Sequence, residues 1–231
     1  MQKELVQLEK KRAAVSSVTA SAALTILKLV AAVLTGSLGI LSEAAHSGLD
    51  FVAALTTFFA VKVSVMPPDR EHLYGHGKVE NFSGLVETLI LLVTCGWIIY
   101  EAVERLLFRV VLFEAGYLAF GVMLISIIVD ISRSRMLYRV SRKYESQALE
   151  ADALHFRTDI FTSAAVILGL AFVRLGYFMA DPLAALGVAL FVISASLRLG
   201  KRTVDALLDR APTGLVRRVE DQIRRFEGVL L

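Results

Sequence analysis

Apolar residues run almost unbroken through six stretches of this chain, at 14–35, 38–65, 82–106, 111–131, 148–175 and 182–199. Each is long enough to cross a hydrocarbon layer as a helix, which takes about 20 residues. Some exceed that length, which predicts tilt or extension into water. The intervals between them are short and polar. TGSLG joins the first stretch to the second, and a segment around LGYFMADP joins the fifth to the sixth, with glycine and proline marking both turns. The connection MPPDREHLYGHGKVE, between the second and third stretches, is longer and more polar. The pattern predicts an all-α membrane protein of six transmembrane helices.

Two ends fall outside this pattern. The start, MQKELVQLEKKR, is charged and leads into a run long enough to span, so it reads as the flank of an uncleaved anchor. After Pro212 the segment TGLVRRVEDQIRRFEG sets Leu215, Val219, Ile223 and Phe226 at helical spacing among charged residues, as in a soluble amphipathic helix. The last residues, 228–231, read as the beginning of a strand. The expected organisation is a cytoplasmic N-terminal segment at 1–12, a six-helix transmembrane domain at 13–210, and at 211–231 the first helix of an incomplete cytoplasmic domain.

Composition sharpens the picture in one respect. Of the 231 residues 56% are hydrophobic, which leaves little material for a soluble domain. The net charge of +3 is small, but its placement is one-sided. Lys3, Lys10, Lys11 and Arg12 precede the first stretch; Arg133, Arg135, Arg139, Arg142 and Lys143 follow the fourth; Arg198, Lys201 and Arg202 lie at and after the end of the sixth. The opposite side has Arg105, Arg109 and Arg174. The positive-inside rule then puts both termini in the cytoplasm of a multi-pass protein of the cell (inner or plasma) membrane. In this setting the basic run RSRMLYRVSRK is a topology determinant and a lipid-headgroup contact, not a nucleic-acid site. The lone cysteine, Cys95, lies in an apolar stretch as a small packing residue.

The candidate chemistry lies inside the apolar stretches. Two of the four histidines open matched pairs, His46 with Asp50 and His155 with Asp159. Residues four apart share a helix face, and an ionisable residue within a span marks a functional site by default. The second and fifth spans run in opposite directions, so His46 is expected level with Asp159, and Asp50 level with His155. Two imidazoles and two carboxylates suit a tetrahedral divalent ion such as zinc, and two carboxylates neutralise its charge. Histidine also binds protons near neutral pH, so metal and proton compete for the same nitrogen. That competition is the chemistry of an antiporter.

Other ionisable residues leave alternatives open. Glu43, on the same face as His46, either lines a proton or exit path or is an interfacial carboxylate reaching water. Glu87 either faces the same cavity or pairs with a base such as Lys28. Asp69, His72 and His76, spaced three and four apart beside Gly75 and Gly77, form either a second metal site or a solvated loop.

The segments SEAAHSGLD, PPDREHLYGHGKVE and EADALHFRTD resemble the cation diffusion facilitators, metal-ion/proton antiporters with six transmembrane helices. The resemblance runs from about Ala13 to Leu231 and is most specific in Asp69, His72, Tyr74, Gly75, His76, Gly77, Lys78 and Glu80. It implies a transport site at His46, Asp50, His155 and Asp159, an accessory metal site at Asp69, His72 and His76, and a homodimer. Lys78 and Asp209 match positions that some members use as a charge interlock between subunits. A His-Asp/His-Asp set is similar to that of zinc-preferring members, and a histidine-free loop between spans four and five is similar to prokaryotic ones. The family usually ends in a ferredoxin-like cytoplasmic domain, of which this chain carries at most the beginning.

The expected function is therefore proton-coupled export of Zn2+ from the cytoplasm, with metal ion, protons and the lipid bilayer as partners. The alternatives are the same fold carrying Mn2+, Fe2+, Co2+, Ni2+ or Cd2+, or a metal-binding membrane scaffold that does not transport. An intramembrane metallohydrolase would want three protein ligands, a water and a separate base; a four-ligand set argues against an enzyme.

Overall fold

A computed structural model describes residues 2–35, 38–108, 117–174, 177, 179–211 and 214–223. Seven helices follow in chain order: α1 (Gln2–Thr35), α2 (Leu38–Ser64), α3 (Lys78–Phe108), α4 (Tyr117–Tyr144), α5 (Gln147–Arg174), α6 (Ala180–Leu207) and α7 (Leu215–Ile223). Among the described residues there is no strand.

The six apolar stretches correspond to α1–α6. Four of these helices contain segments long and apolar enough to cross a membrane, at Leu5–Leu34, Ala44–Ser64, Lys78–Leu107 and Pro182–Leu207. The other two, α4 and α5, also carry charge within their length. α4 carries Asp130 and then Arg133, Arg135, Arg139, Arg142 and Lys143; α5 carries Glu150, Asp152, Arg157 and Asp159. Both pack against neighbouring helices, where charges find partners instead of lipid.

The polar start at 2–12 continues α1 as uninterrupted helix. Its Glu, Gln, Leu and Lys residues are good helix formers, and side chains tie it down: Glu9 accepts from Lys143 at 2.8 Å, and Lys10 donates to Glu80 at 2.8 Å. Beyond α6, Asp209 and Gly214 turn the chain through left-handed backbone, at φ 54° and 81°, into α7. Phe226 and the strand expected at 228–231 lie outside the described residues.

Small residues set the packing. α1 packs on α2 and α4, α3 on α6, and α5 on α4, α6, α3 and α2. Ala13, Ala14 and Ala153 sit with Val61, Leu137, Leu149 and Phe156 in one buried cluster joining α1, α2, α4 and α5. Gly200 of α6 faces the Thr88 side chain of α3 at a point where an added Cβ would lie 2.9 Å from Cγ2. Where lipid provides no hydrophobic drive between helices, such small residues permit the close contact that holds them together. Large apolar side chains such as Val33, Leu34, Val93 and Trp97 point outward.

One end of the bundle is tied by charge. Glu80 is buried and accepts from Lys10 of α1, from Ser64 of α2 at 2.7 Å, and from Ser146 at the start of α5. Arg202 of α6 donates to Glu150 of α5 at 2.7 Å. The loop at 66–77 lies at this same end, between Ser64 and Glu80.

Candidate metal centre

Within α2, His46 and Asp50 are one turn apart, with the ring Nε2 3.8 Å from Asp50 Oδ1. Within α5, His155 and Asp159 are likewise one turn apart, with Nε2 4.0 Å from Asp159 Oδ2. Across the two helices His155 Nε2 lies 2.7 Å from Asp50 Oδ1, and His46 Nε2 lies 3.8 Å from Asp159 Oδ1. A higher number on one helix pairs with a lower number on the other, so the helices run antiparallel. One atom each of His46, Asp50 and Asp159 falls within 4.8 Å of the others, with His155 adjoining through Asp50.

The four side chains differ in access. His155 is 4% exposed and Asp50 11%, whereas His46 is 35% exposed. The cluster is therefore closed at its His155–Asp50 end and more open at its His46–Asp159 end. Lys28 of α1 donates from Nζ to Ser47 Oγ at 2.8 Å, next to His46, and Thr25 donates to the Ser47 carbonyl at 2.8 Å. These bonds seat α1 against the face of α2 that carries the cluster.

A second cluster sits in the loop between α2 and α3. Asp69 Oδ1 accepts the backbone N–H of Glu71 at 2.9 Å and of His72 at 2.6 Å, which builds a local turn. Gly75, at φ 83°, lets the chain double back, and its N–H donates to the His72 carbonyl at 2.9 Å. The turn brings His72 Nδ1 within 3.3 Å of Asp69 Oδ1 and His76 Nε2 within 3.5 Å of Asp69 Oδ2. The two rings lie 4.4 Å apart, and one ligand atom from each of the three residues falls within 4.8 Å of the others. The His72 N–H, followed by that of Glu71, holds the Asp69 carboxyl below its ordinary range.

The remaining sequence candidates are placed as follows. Lys78, at the start of α3, donates to Asp209 at 2.7 Å and to the Leu207 carbonyl at 3.3 Å, so within one chain it joins α3 to the end of α6. Glu43 belongs to α2, but its side chain lies outside the described residues. Glu87 of α3 is fully buried, accepts from Thr57 of α2, and interacts by charge with Asp152 and His155. Of its two readings, this placement favours the cavity.

Three residues stand out that the sequence reading left aside. Asp130 of α4 and Asp152 of α5 are buried carboxyls that interact by charge with Asp50, Asp159 and His155. Each had a signal in the sequence: Asp130 interrupts an apolar run, and Asp152 precedes His155 by one helical turn. Glu80, noted only as part of a motif, is the residue to which three other segments of the bundle bond.

The chain matches the cation efflux transmembrane domain over residues 14–208. It is 32% identical over 219 residues to the cation-efflux pump FieF of Salmonella paratyphi A (strain ATCC 9150 / SARB42) and of Salmonella agona (strain SL483), covering 94% of this chain and 73% of theirs. The same identity and coverage hold for the cation-efflux pump FieF of Salmonella newport (strain SL254). These relatives are efflux pumps rather than enzymes. With apolar helices of spanning length, a matching domain across most of its length and relatives of this kind, the chain belongs to the cation efflux family, the cation diffusion facilitators, and is a membrane transporter of cations.

Proposed function

We propose that the protein exports Zn2+ from the cytoplasm in exchange for protons, through one site made by His46 and Asp50 of α2 with His155 and Asp159 of α5. The observation that carries this reading is the 2.7 Å contact between His155 Nε2 and Asp50 Oδ1. An N···O contact of that length needs a proton between the two atoms, whichever of them holds it. A metal ion taken by both atoms occupies the same place, so loading the ion displaces that proton. Two nitrogens and two carboxylate oxygens in a compact cluster suit zinc better than larger or softer ions, and two carboxylates cancel its charge.

In this reading α1–α6 all cross the plasma membrane, the basic end of the bundle faces the cytoplasm, and both termini lie there. The transmembrane domain occupies 13–210. Residues 1–12 extend α1 into the cytoplasm, and 211–231 begin a cytoplasmic domain. Asp69, His72 and His76 form an accessory metal site at the cytoplasmic mouth. The unit in the membrane is a homodimer, with Lys78 and Asp209 at its cytoplasmic surface and Glu43 along the outer path.

The test is metal uptake into proteoliposomes with and without an imposed pH gradient, for Zn2+, Mn2+, Fe2+, Co2+, Ni2+ and Cd2+ in turn. Zinc flux that follows the gradient, and exceeds flux of the other ions, is the expected result. Gradient-driven flux of another ion in preference to zinc would correct the substrate, and binding without flux would make the protein a metal-holding scaffold.

A further inference from the structure

We infer that the surface groove along α1, beside Arg133 of α4, seats one anionic phospholipid, with its phosphate held by Lys11, Arg12 and Arg133 and an acyl chain along the outer face of α1. Lipid surrounds any membrane protein; this groove differs in that a headgroup site and a chain track meet there.

The groove is a cavity of about 400 Å³ lined by Leu8, Lys11, Arg12, Val15, Ser16 and Thr19, on successive turns of one α1 face. It begins in the charged segment at 2–12 and ends within the apolar stretch at 14–35, where headgroups give way to hydrocarbon. Lys11 and Arg12 are both exposed there. α4 supplies a third cation. Arg133 is half-buried; its Nη1 donates to Ser16 Oγ in the groove, and its Nη2 donates to Ser132 Oγ at 3.1 Å. A further N–H approaches Met136 Sδ at 3.9 Å. These contacts fix the guanidinium at the groove wall and leave two of its five N–H groups for a phosphate.

The positive charge is not cancelled locally. Among the described residues none of Lys11, Arg12 and Arg133 is ion-paired with a carboxylate. Glu9, one turn before Arg12, interacts with it by charge, but its carboxylate is taken by Lys143 at 2.8 Å. Asp130, one turn before Arg133, is buried and interacts by charge with Asp159 and Asp50. Each basic side chain near an anionic lipid surface strengthens binding roughly fivefold. A zwitterionic headgroup offsets its phosphate with its own ammonium, so three cations favour a headgroup of net negative charge.

Beyond the head of the groove the same face stays open, with Thr19, Ala23 and Ile26 all exposed. From Val15 to Ile26 the helix rises about 16 Å, close to the roughly 15 Å of one hydrocarbon leaflet. Small Thr19 and Ala23 between the larger Val15 and Ile26 leave a shallow channel for a chain.

Native mass spectrometry of the full chain, titrated with dioleoylphosphatidylglycerol or dioleoylphosphatidylcholine, tests the site. The parent is expected to bind the anionic lipid about tenfold or more tightly than the zwitterionic one. Lys11→Gln/Arg12→Gln alters two exposed side chains, so it should fold as the parent does and bring the two lipids within about threefold of each other. Arg139→Gln/Arg142→Gln removes the same charge from exposed positions of α4 outside the groove, and is expected to keep the preference. Equal binding of the two lipids by the parent, a preference that survives Lys11→Gln/Arg12→Gln, or equal loss in both charge variants overturns the site. Displacement of the anionic lipid by inorganic phosphate at equal concentration overturns the lipid as its occupant.

Discussion

His155 of α5 and Asp50 of α2 are 105 positions apart in the chain, and their Nε2 and Oδ1 atoms lie 2.7 Å apart. No other contact in the bundle does as much for the functional reading. It closes the gap between two helices whose matching His-Asp pairs would otherwise be separate local features.

Replacing Asp50 by Asn removes a ligand charge and leaves the size of the side chain unchanged. It also strands His155, which is nearly fully buried. An uncharged amide is a poor zinc ligand and one of the two neutralising charges is gone, so zinc affinity should fall by about 100-fold or more. Zinc flux in proteoliposomes should fall to background while the protein remains folded by circular dichroism. Flux near the parent level in Asp50→Asn would show that the carboxylate charge is not needed.

The loop site should behave independently. His72→Ala with His76→Ala is expected to reduce zinc bound per chain from two ions to one, with flux retained. Equilibrium dialysis gives the count. A binding count that stays at two, or flux that vanishes, would mean that the loop is part of the transport path.

Asp69 separates the turn from the ligand. Its carboxyl sits below the ordinary value of 3.8 because backbone N–H groups donate to it. A lowered carboxyl contributes stability that is present above its ordinary value and is lost as pH falls through the lowered one. The turn should therefore persist from neutral pH down to about 4 and open only below that. Asp69→Asn should keep the turn and weaken metal binding, whereas Asp69→Ala should lose both. Hydrogen exchange over 69–76 and zinc titration in an Asp50→Ala background read the two effects separately.

Glu80 predicts an effect on stability. It bonds to Lys10, Ser64 and Ser146, on α1, α2 and the start of α5. Glu80→Gln leaves Lys10 half-buried without its carboxylate and should cost about 3–5 kcal/mol, read as a lower unfolding midpoint in detergent. Adding Lys10→Met should recover part of that loss. An unchanged midpoint in Glu80→Gln would mean that these bonds contribute little.

Gly200 gives a packing test free of charge. A Cβ there meets Thr88 Cγ2 at 2.9 Å, and Thr88 cannot turn away freely because its Oγ1 donates to the Gly84 carbonyl at 2.7 Å. Gly200→Ala should therefore destabilise by about 1–3 kcal/mol. Thr88→Ser keeps the hydroxyl and removes the offending methyl, so the double variant should recover. Thermal unfolding of both variants checks this.

Much of this was legible in the sequence for physical reasons. Long apolar runs specify helices because only a helix satisfies its own backbone in lipid. Helical spacing puts His46 with Asp50 and His155 with Asp159 on common faces, and the motif from Asp69 to Glu80 marks the loop. Periodicity stops at the single helix. It does not say that Asp130 is buried and interacts by charge with Asp50 and Asp159, because that depends on how α4 rotates about its axis. It also hid Glu80, whose partners come from three separate segments. Nor does periodicity show that the charged start continues α1 and bonds to α3 and α4 through Lys10 and Glu9.

X-ray absorption at the zinc edge, on protein carrying His72→Ala and His76→Ala, tests the four-ligand site most directly. The account predicts one tightly held zinc per chain, with two nitrogen and two oxygen neighbours at about 2.0–2.2 Å, lost in His155→Ala and in Asp50→Ala. A six-oxygen shell, or zinc that remains after both substitutions, would contradict it.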